Sequence, residues 1–196
     1  LRGYEIPEAG RTAKGTAIVN LLRLDNGEKI SAVIPLSNFA EGKYLLMATK
    51  NGLIKKTALS EYNSNKKTGL LAITLKEDDE LIEVRLTDGE DNVVLVTSKG
   101  MCITFDEKDV RPVGRSAQGV LGIRLDKEDF VIGMESVIGG KNATLLAITE
   151  HGFGKRTELE EYRVQNRGGK GVITYKVTPK TGNIVGIRIA NGDEDV

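Results

Sequence analysis

The sequence predicts an all-β fold, a propeller-like array of four-stranded blades of which about three and a half are present. Two sets of glycines recur with a common period of about fifty residues, and four short apolar runs recur within each period. No run keeps the period of an amphipathic helix. A repeat of this length with four strands in each unit is typical of a propeller blade.

The two sets of glycines are independent of each other. The first set closes three similar turns, 48 and 52 residues apart, which are Thr49–Gly52, Thr97–Gly100 and Thr149–Gly152. The second set has spacings of 54, 50 and 52 residues and consists of Gly15, Gly69, Gly119 and Gly171. Because both sets share one period, the chain is a repeat.

The apolar runs predict four strands in each unit. The first and second runs flank the turn glycine, which fits a tight hairpin because such turns need positive φ. First strands are predicted over 44–48, 93–97 and 145–149, and second strands over 53–57, 101–105 and 153–157. Third strands are predicted over 70–73, 120–123 and 172–175, and fourth strands over 81–86, 131–134 and 184–189.

These strands divide a single domain into units. Residues 1–36 are predicted to form the second half of a truncated blade, and 37–88, 89–139 and 140–192 to form complete blades. Residues 193–196 would begin a further truncated blade. Counting back by the repeat places the first hairpin before Leu1, so both ends are expected inside the array, where sheet edges could remain unpaired.

Composition excludes several classes of function. Lys and Arg equal Asp and Glu at 28 each, so the chain is not a uniformly basic nucleic-acid binder. A single cysteine, Cys102, excludes disulfides and thiolate clusters, favours a reducing cytosolic compartment, and is expected in the core. There is neither a membrane-span pattern nor a signal peptide, so no membrane partner is predicted.

No catalytic or metal centre is predicted. The one histidine, His151, lies in a hairpin turn and is expected to be exposed there. No nucleophile is marked beside it. The acidic run Glu77–Glu80 lacks the spacing of a calcium loop and is interpreted as a solvated turn. Tyr62 and Tyr162 recur at one position of the repeat and are expected to pack loops onto their blades.

Charge is segregated along the repeat. Residues 50–69 contain five cations and one acid, 151–180 contain seven cations and three acids, and 76–91 contain two cations and eight acids. The loops after the second strands should therefore form a basic rim. With few aromatics for base stacking, such a rim suits a duplex backbone. The alternative is a solvated face whose charges serve solubility.

One rim loop, Gln165–Gly171, has the sequence Gln-Asn-Arg-Gly-Gly-Lys-Gly. Its three glycines leave a bare backbone, and Arg167 and Lys170 add positive charge, which together suit a phosphate. A flexible surface turn is the alternative interpretation. We call this segment the box loop.

The box loop resembles the seven-residue box of the C-terminal domain of the DNA gyrase A subunit, with Asn166 in place of a basic residue. Gly3–Gly15 and Asp109–Arg115 are also similar to segments of that family, and the likeness runs along the whole chain. The resemblance implies a β-pinwheel, a propeller-like array whose blades exchange strands. It also implies a rim that binds and wraps double-stranded DNA, which supports ATP-dependent negative supercoiling by the holoenzyme.

The resemblance further implies which residues and partners are involved. In the box loop, Arg167 and Lys170 would bind phosphates, Gly168 and Gly169 would allow close approach, and Gln165, Asn166 and Gly171 would complete the site. Further rim contacts would come from Arg11, Lys14, Lys55, Lys56, Lys66, Lys67, Arg115, Lys155, Arg156 and Arg163. The partners would be the rest of the gyrase A subunit and the gyrase B subunit, in a heterotetramer. Catalysis and the use of ATP and magnesium would belong to other parts of that assembly, which would be found in the cytoplasm and on the chromosome.

Two departures from the family pattern leave alternatives open. The family's box lies in its first blade, whereas this one lies in the fourth unit, so a principal box could lie upstream. The third unit has Ile103 and Thr104 where its neighbours have two cations, so it should contact DNA less. The alternatives are the equivalent domain of topoisomerase IV, a propeller-type protein-interaction scaffold and, more remotely, an enzyme.

Overall fold

The computed structural model describes residues 3–22, 24, 27–64, 69–137 and 143–191. These residues form eleven β-strands and five short 3₁₀ helices, and none of them is in an α-helix. None of the described helices could cross a membrane. The strands are β1 Tyr44–Thr49, β2 Leu53–Ala58, β3 Leu81–Thr87, β4 Asn92–Thr97, β5 Met101–Asp106, β6 Val120–Leu121, β7 Val131–Val137, β8 Ala143–Thr149, β9 Gly154–Glu158, β10 Val172–Ile173 and β11 Ile184–Asn191.

The three predicted hairpins are confirmed, and their turns are alike. In each, the turn glycine has positive φ, between +79° and +91°. Its N–H donates to the carbonyl of the threonine three residues earlier, over 3.0–3.1 Å. In the first two turns that threonine's hydroxyl also accepts from the first N–H of the second strand, at 3.2 Å. The hairpins are β1–β2, β4–β5 and β8–β9.

Each hairpin belongs to its own sheet, and the first two sheets each take a strand from the next unit. The first has the order β3-β1-β2-β6 and the second β7-β4-β5-β10. The outer strand beside β2 or β5 therefore comes from the next unit along the chain. The third sheet, β11-β8-β9, has no such strand among the described residues. The exchange that the family resemblance implied is thus observed.

The third strands are shorter than predicted, and one is missing. Their described lengths are two residues each, Val120–Leu121 and Val172–Ile173, and residues 70–73 form no strand. Where a third strand forms, it pairs with the second strand of the preceding unit. The described part of 3–43 contains two 3₁₀ helices, Gly3–Glu5 and Ile18–Asn20, but no strand of the half-blade predicted over 1–36, so it offers no second strand with which 70–73 could pair. The start of a blade predicted over 193–196 lies outside the described residues.

The core lies between neighbouring sheets and explains the apolar runs. Val93 and Leu95 of β4 belong to a cluster shared with the first sheet, whereas Val94 and Val96 pack against the third sheet. Both faces of β4 are therefore buried, which is why its sequence is continuously apolar rather than alternating. Cys102 is fully buried, as predicted, and burial raises the pKa of its thiol to about 12, so it is an unreactive core residue.

The recurring tyrosines pack loops onto their blades, as predicted. Tyr162 is buried, and its hydroxyl is hydrogen bonded to that of Thr174. Tyr62 is half-buried and donates to the carbonyl of Ala72, the equivalent position in its own unit, over 3.4 Å. Burial raises the pKa of both phenols. Each tyrosine therefore ties the start of the loop after the second strand to the end of that loop.

Candidate nucleic-acid interface

The box loop is joined to the preceding unit by backbone hydrogen bonds. Gln165 N donates to Thr104 O over 2.9 Å, Gly168 N donates to Gly122 O over 2.6 Å, and Gly169 O accepts from Arg124 N over 2.8 Å. The backbone of this loop is therefore partly used within the protein, and the N–H of Gly168 is not available to a ligand. Its conformation is fixed by β5 and by the residues after β6.

The last glycine of the box loop is required for packing. Gly171 has a φ of +78°, and a Cβ there would overlap the carbonyl oxygen of Cys102. Gly119 has the same role in the third unit, where a Cβ would lie 2.6 Å from the carbonyl oxygen of Ile54. In these two units the glycine of the second set thus marks the point at which the exchanged strand approaches the preceding hairpin, whereas a Cβ at Gly15 or Gly69 would meet nothing within 4 Å.

Arg167 lies between two backbone carbonyls of the third unit. Its Nε donates to Asp109 O and its Nη1 to Leu121 O, each over 3.0 Å. A guanidinium has five N–H groups, so three remain for a ligand. Arg167 therefore joins the fourth unit to the third, and its own guanidinium is held in a fixed orientation.

Lys170 forms an exposed ion pair. Its Nζ lies 2.6 Å from Oδ1 of Asp126, and both side chains are more than half exposed. Such a pair contributes about 0–1 kcal/mol in water, so an incoming phosphate could displace the carboxylate at little cost. In the same loop the side chain of Asn166 is exposed, whereas the amide nitrogen of Gln165 is shielded from solvent.

Two other units repeat the turn of the box loop. Ala13 N donates to Gly10 O over 2.9 Å, and Ala117 N donates to Gly114 O over 3.2 Å. Each turn carries an arginine at the position of Arg167, namely Arg11 and Arg115. Arg11 and Lys14 are exposed and Arg115 is half-buried. Lys66 and Lys67, predicted at the same place in the second unit, lie outside the described residues.

Two predicted rim cations are buried. Lys55 has 0% and Lys56 4% of its surface exposed, because the loop of the third unit covers β2. Lys55 Nζ donates to Ala72 O over 2.5 Å and to Arg115 O. Lys56 Nζ donates to Glu107 O over 2.9 Å and lies 3.6 Å from Oε1 of Glu107. We therefore remove both lysines from the predicted DNA contacts.

The same covering changes how the third unit is interpreted. Ile103 and Thr104 are the counterparts of Lys55 and Lys56, and both are buried. Since the exchanged segment of the next unit covers these positions, their lack of charge gives no reason for weaker DNA contact there. The expectation of weaker contact by the third unit therefore loses its basis.

Lys155 and Arg156, at the same positions of the fourth unit, are exposed. No strand among the described residues pairs with the outer edge of β9, so nothing in that part of the chain covers them. Lys155 Nζ lies 5.7 Å from the centre of the Tyr175 ring, and Arg156 Nε donates to Thr144 Oγ1 over 2.9 Å. Arg163 is exposed as well.

The burial of Lys55 leads to a prediction about pH. Burial, reinforced by the charge of Arg115, lowers the pKa of Lys55 from 10.5 to about 8. Between these values the unfolded chain binds the proton and the folded chain releases it, so this residue makes folding more favourable as pH rises through that window. The expected result is that the free energy of unfolding of the wild type, minus that of Lys55→Met, increases from pH 8 to 10.5 in urea titrations.

A matched control for this prediction is Lys127→Met, at an exposed lysine of the turn 126–129. For this control, the difference from the wild type in free energy of unfolding should not change with pH over the same window. If the difference measured for Lys55→Met were equally independent of pH, it would contradict the lowered pKa of Lys55.

The other sequence predictions have clear positions in the structure. His151 is exposed in its turn, as predicted, with Nδ1 2.9 Å from Lys180 O. In the acidic turn, Asp79 is buried and its Oδ1 accepts from Asn51 N and Glu80 N, each over 2.9 Å, so that turn is more than a solvated loop. Within the described ranges no group of three or more acidic, histidine or cysteine side chains is arranged to hold a metal ion.

Sequence reasoning missed Lys108 and Arg111. Together with Arg167 they line an open groove beside the box loop. A signal for Arg111 was present, because it precedes Gly119 by the same eight residues that separate Arg163 from Gly171. Lys108 has no counterpart of this kind.

Comparison with known proteins gives one consistent family. The model of the family described as the DNA gyrase C-terminal domain, a beta-propeller, matches residues 1–37, 43–88, 91–138 and 143–191. The DNA gyrase A subunit of Clostridium acetobutylicum is 54% identical over 195 residues, which is 99% of this chain and 23% of that protein. The chain thus spans less than a quarter of that relative.

Two solved structures are similar in fold over most of the chain. The C-terminal domain of DNA topoisomerase IV has a TM-score of 0.89 at 32% identity, covering 96% of this chain and 58% of that one. The DNA gyrase A C-terminal domain has a TM-score of 0.82 at 27% identity, covering 97% of this chain and 61% of that one.

Proposed function

This chain belongs to the DNA gyrase C-terminal domain family, and on that premise we propose that it binds and wraps duplex DNA without sequence specificity. Wrapping would support ATP-dependent negative supercoiling by a gyrase holoenzyme. The partners would be double-stranded DNA, the rest of the gyrase A subunit, and the gyrase B subunit. Catalysis, ATP and magnesium would be supplied elsewhere in that assembly, which would act in the cytoplasm on the chromosome.

The observation that carries this proposal is the repeated turn that presents an arginine in three units. Arg11, Arg115 and Arg167 occupy one position of the repeat, and two of the three units add an exposed lysine, Lys14 or Lys170. Cations repeated at one position of several units provide a series of contacts to a curved backbone. Phosphate contacts of this kind supply affinity and position without reading sequence.

The first test is the salt dependence of binding to a duplex of about 40 bp. The candidate contacts that the structure leaves accessible are Arg11, Lys14, Arg115, Lys155, Arg156, Arg163, Arg167 and Lys170. If all engage phosphates, log affinity should fall with log salt at a slope of about −7, since each contact contributes about −0.9. Fluorescence anisotropy over a salt series measures this slope, and affinity that does not change with salt would refute the proposal.

Replacing Lys170 by alanine should make the salt slope shallower by about 0.9. The factor by which the substitution weakens binding should therefore be about eight times larger at about 0.1 M salt than at about 1 M salt. Binding should be weakened rather than abolished, because the other rim cations remain. Lys127→Ala, which removes an exposed lysine of the turn 126–129, is the control and should leave the slope unchanged.

Wrapping is tested separately, by relaxing and ligating nicked circular DNA with the chain bound and then measuring the linking number. A positive shift supports chiral wrapping. Binding without a shift would favour the domain of topoisomerase IV as the better comparison, an alternative supported by its TM-score of 0.89. Loss of DNA binding altogether, with a protein ligand retained at high salt, would favour an interaction scaffold.

A further inference from the structure

The open groove beside the box loop is lined by both charged and apolar side chains. It has a volume of about 580 Å³ and is lined by Lys108, Asp109, Arg111, Val113, Val120 and Arg167. Two of the six, Val113 and Val120, are valines with 37% and 36% of their surfaces exposed. Single exposed valines are ordinary on a protein surface, but here two line the same groove as three cations.

The two valines of the lining are held in place by backbone pairing. Val120 lies in β6, which pairs with Ile54 of β2. Val113 N donates to Lys56 O over 2.9 Å, and its neighbour Pro112 forms a bridge with Lys56. Both valines are thus fixed on the sheet of the second unit, so the groove exists before any ligand binds.

The lining of the groove carries more positive than negative charge. Arg167 is fixed by two carbonyls and keeps three N–H groups for a ligand. Within the described part of the chain, the guanidinium of Arg111 makes no hydrogen bond or ion pair. Lys108 lies 2.5 Å from Glu90 in an exposed pair. The carboxylate of Asp109 is the one acid in the lining, and it opposes the three cations.

We infer that this groove holds one sugar–phosphate segment of the duplex, with phosphate oxygens on Arg111 and Arg167 and deoxyribose on Val113 and Val120. A nucleic-acid backbone alternates an anionic phosphate with a weakly polar sugar, and the groove offers a matching surface for each. This inference rests on the proposed function. It goes beyond that proposal by assigning a contact to Arg111 and an apolar contact to the valines, neither of which belongs to the box loop.

The two parts of the contact have different signatures in a salt series. Arg111→Ala removes a phosphate contact, so the slope should become shallower by about 0.9 and affinity at about 0.1 M salt should fall by about eightfold. Val120→Ser removes an apolar contact, so affinity should fall by about threefold at every salt concentration with the slope unchanged. Asp109→Asn removes a repulsive charge and should strengthen binding at low salt.

The experiment measures anisotropy of the duplex of about 40 bp with the 196-residue chain and these variants. Val113→Ser is the second apolar variant, in a loop rather than in a strand, and urea unfolding of each variant identifies any that fails to fold. Lys127→Ala is the control, since its side chain is exposed away from the groove lining.

The outcomes separate the inference from the proposed function. If the wild type binds no DNA, the proposed function fails. A second outcome is that the wild type and Lys127→Ala bind alike with a steep salt slope, and that the folded variants Arg111→Ala and Val113→Ser bind as the wild type does. The groove would then hold no DNA backbone, and the inference alone would be overturned. A slope change in Arg111→Ala together with a uniform loss in a serine variant supports it.

Discussion

Replacing Gly100 by alanine is expected to destabilise the chain by at least about 3 kcal/mol. Gly100 closes the β4–β5 hairpin with a φ of +91°, and its carbonyl accepts from Thr174 N over 2.9 Å. A Cβ at this position would overlap the carbonyl oxygen of Tyr175, which belongs to the next unit. Because the overlap is with backbone, the exchanged segment of the fourth unit would have to move away from the hairpin.

The repeat supplies a matched series for this prediction. Gly152 closes the third hairpin with a φ of +79°, but a Cβ there meets nothing within 4 Å. Gly152→Ala should therefore cost about 1 kcal/mol, from the positive φ alone. Gly52→Ala should fall between the two, because its Cβ would lie 2.7 Å from Ile123 O.

Urea unfolding of the three alanine variants measures the order directly. The expected loss of stability decreases from Gly100 to Gly52 to Gly152. Equal losses at all three positions would show that only the backbone conformation is at stake, and that the close approach of the exchanged segment contributes nothing.

The sequence was sufficient for the features that depend on local chemistry. The turn glycines predicted three hairpins, and the apolar runs predicted the first, second and fourth strands of the complete units, because both signals are read from neighbouring residues. The burial of Cys102 and the exposure of His151 followed from the same strands and turns. The strand exchange came from the family resemblance, since hydrogen bonding across units leaves no local signal.

The sequence was insufficient where a residue's environment is made by the next unit. Lys55 and Lys56 have the same charge and strand position as Lys155 and Arg156, yet the first pair is covered and the second is not. The difference lies in whether a following loop packs on the strand. The groove at Arg111 was missed for a related reason, because its walls come from two units that are about fifty residues apart.

A buried cation requires a compensating group, and the second large expected effect comes from removing such a group. Glu107→Ala should cost about 3–5 kcal/mol, because it leaves the buried ammonium of Lys56 without its counter-charge. The side chain of Glu107 is 0% exposed, with Oε1 3.6 Å from Lys56 Nζ. The same oxygen accepts from the hydroxyl of Thr87 over 2.6 Å, so the substitution also removes the acceptor of a buried hydroxyl.

The repeat itself suggests how this loss can be reversed. Leucine occupies the position of Glu107 in the other two complete units, at Leu59 and Leu159, and each begins a short 3₁₀ helix there as Glu107 does. At the next interface the residue in place of Lys56 is the uncharged Thr104. An apolar pair should therefore fit, and Lys56→Met with Glu107→Leu is expected to come within about 1 kcal/mol of the wild type or to exceed it.

A double-mutant cycle in urea decides between these possibilities. The single variants Glu107→Leu and Lys56→Met should each lose stability, because each leaves one buried charge without its partner. The double variant should recover most of that loss, giving a coupling of several kcal/mol. Losses that simply add would mean that the buried pair is not coupled across the interface, and that packing of the third unit on β2 depends on other contacts. Recovery would show that an apolar pair can replace the buried ion pair at this interface.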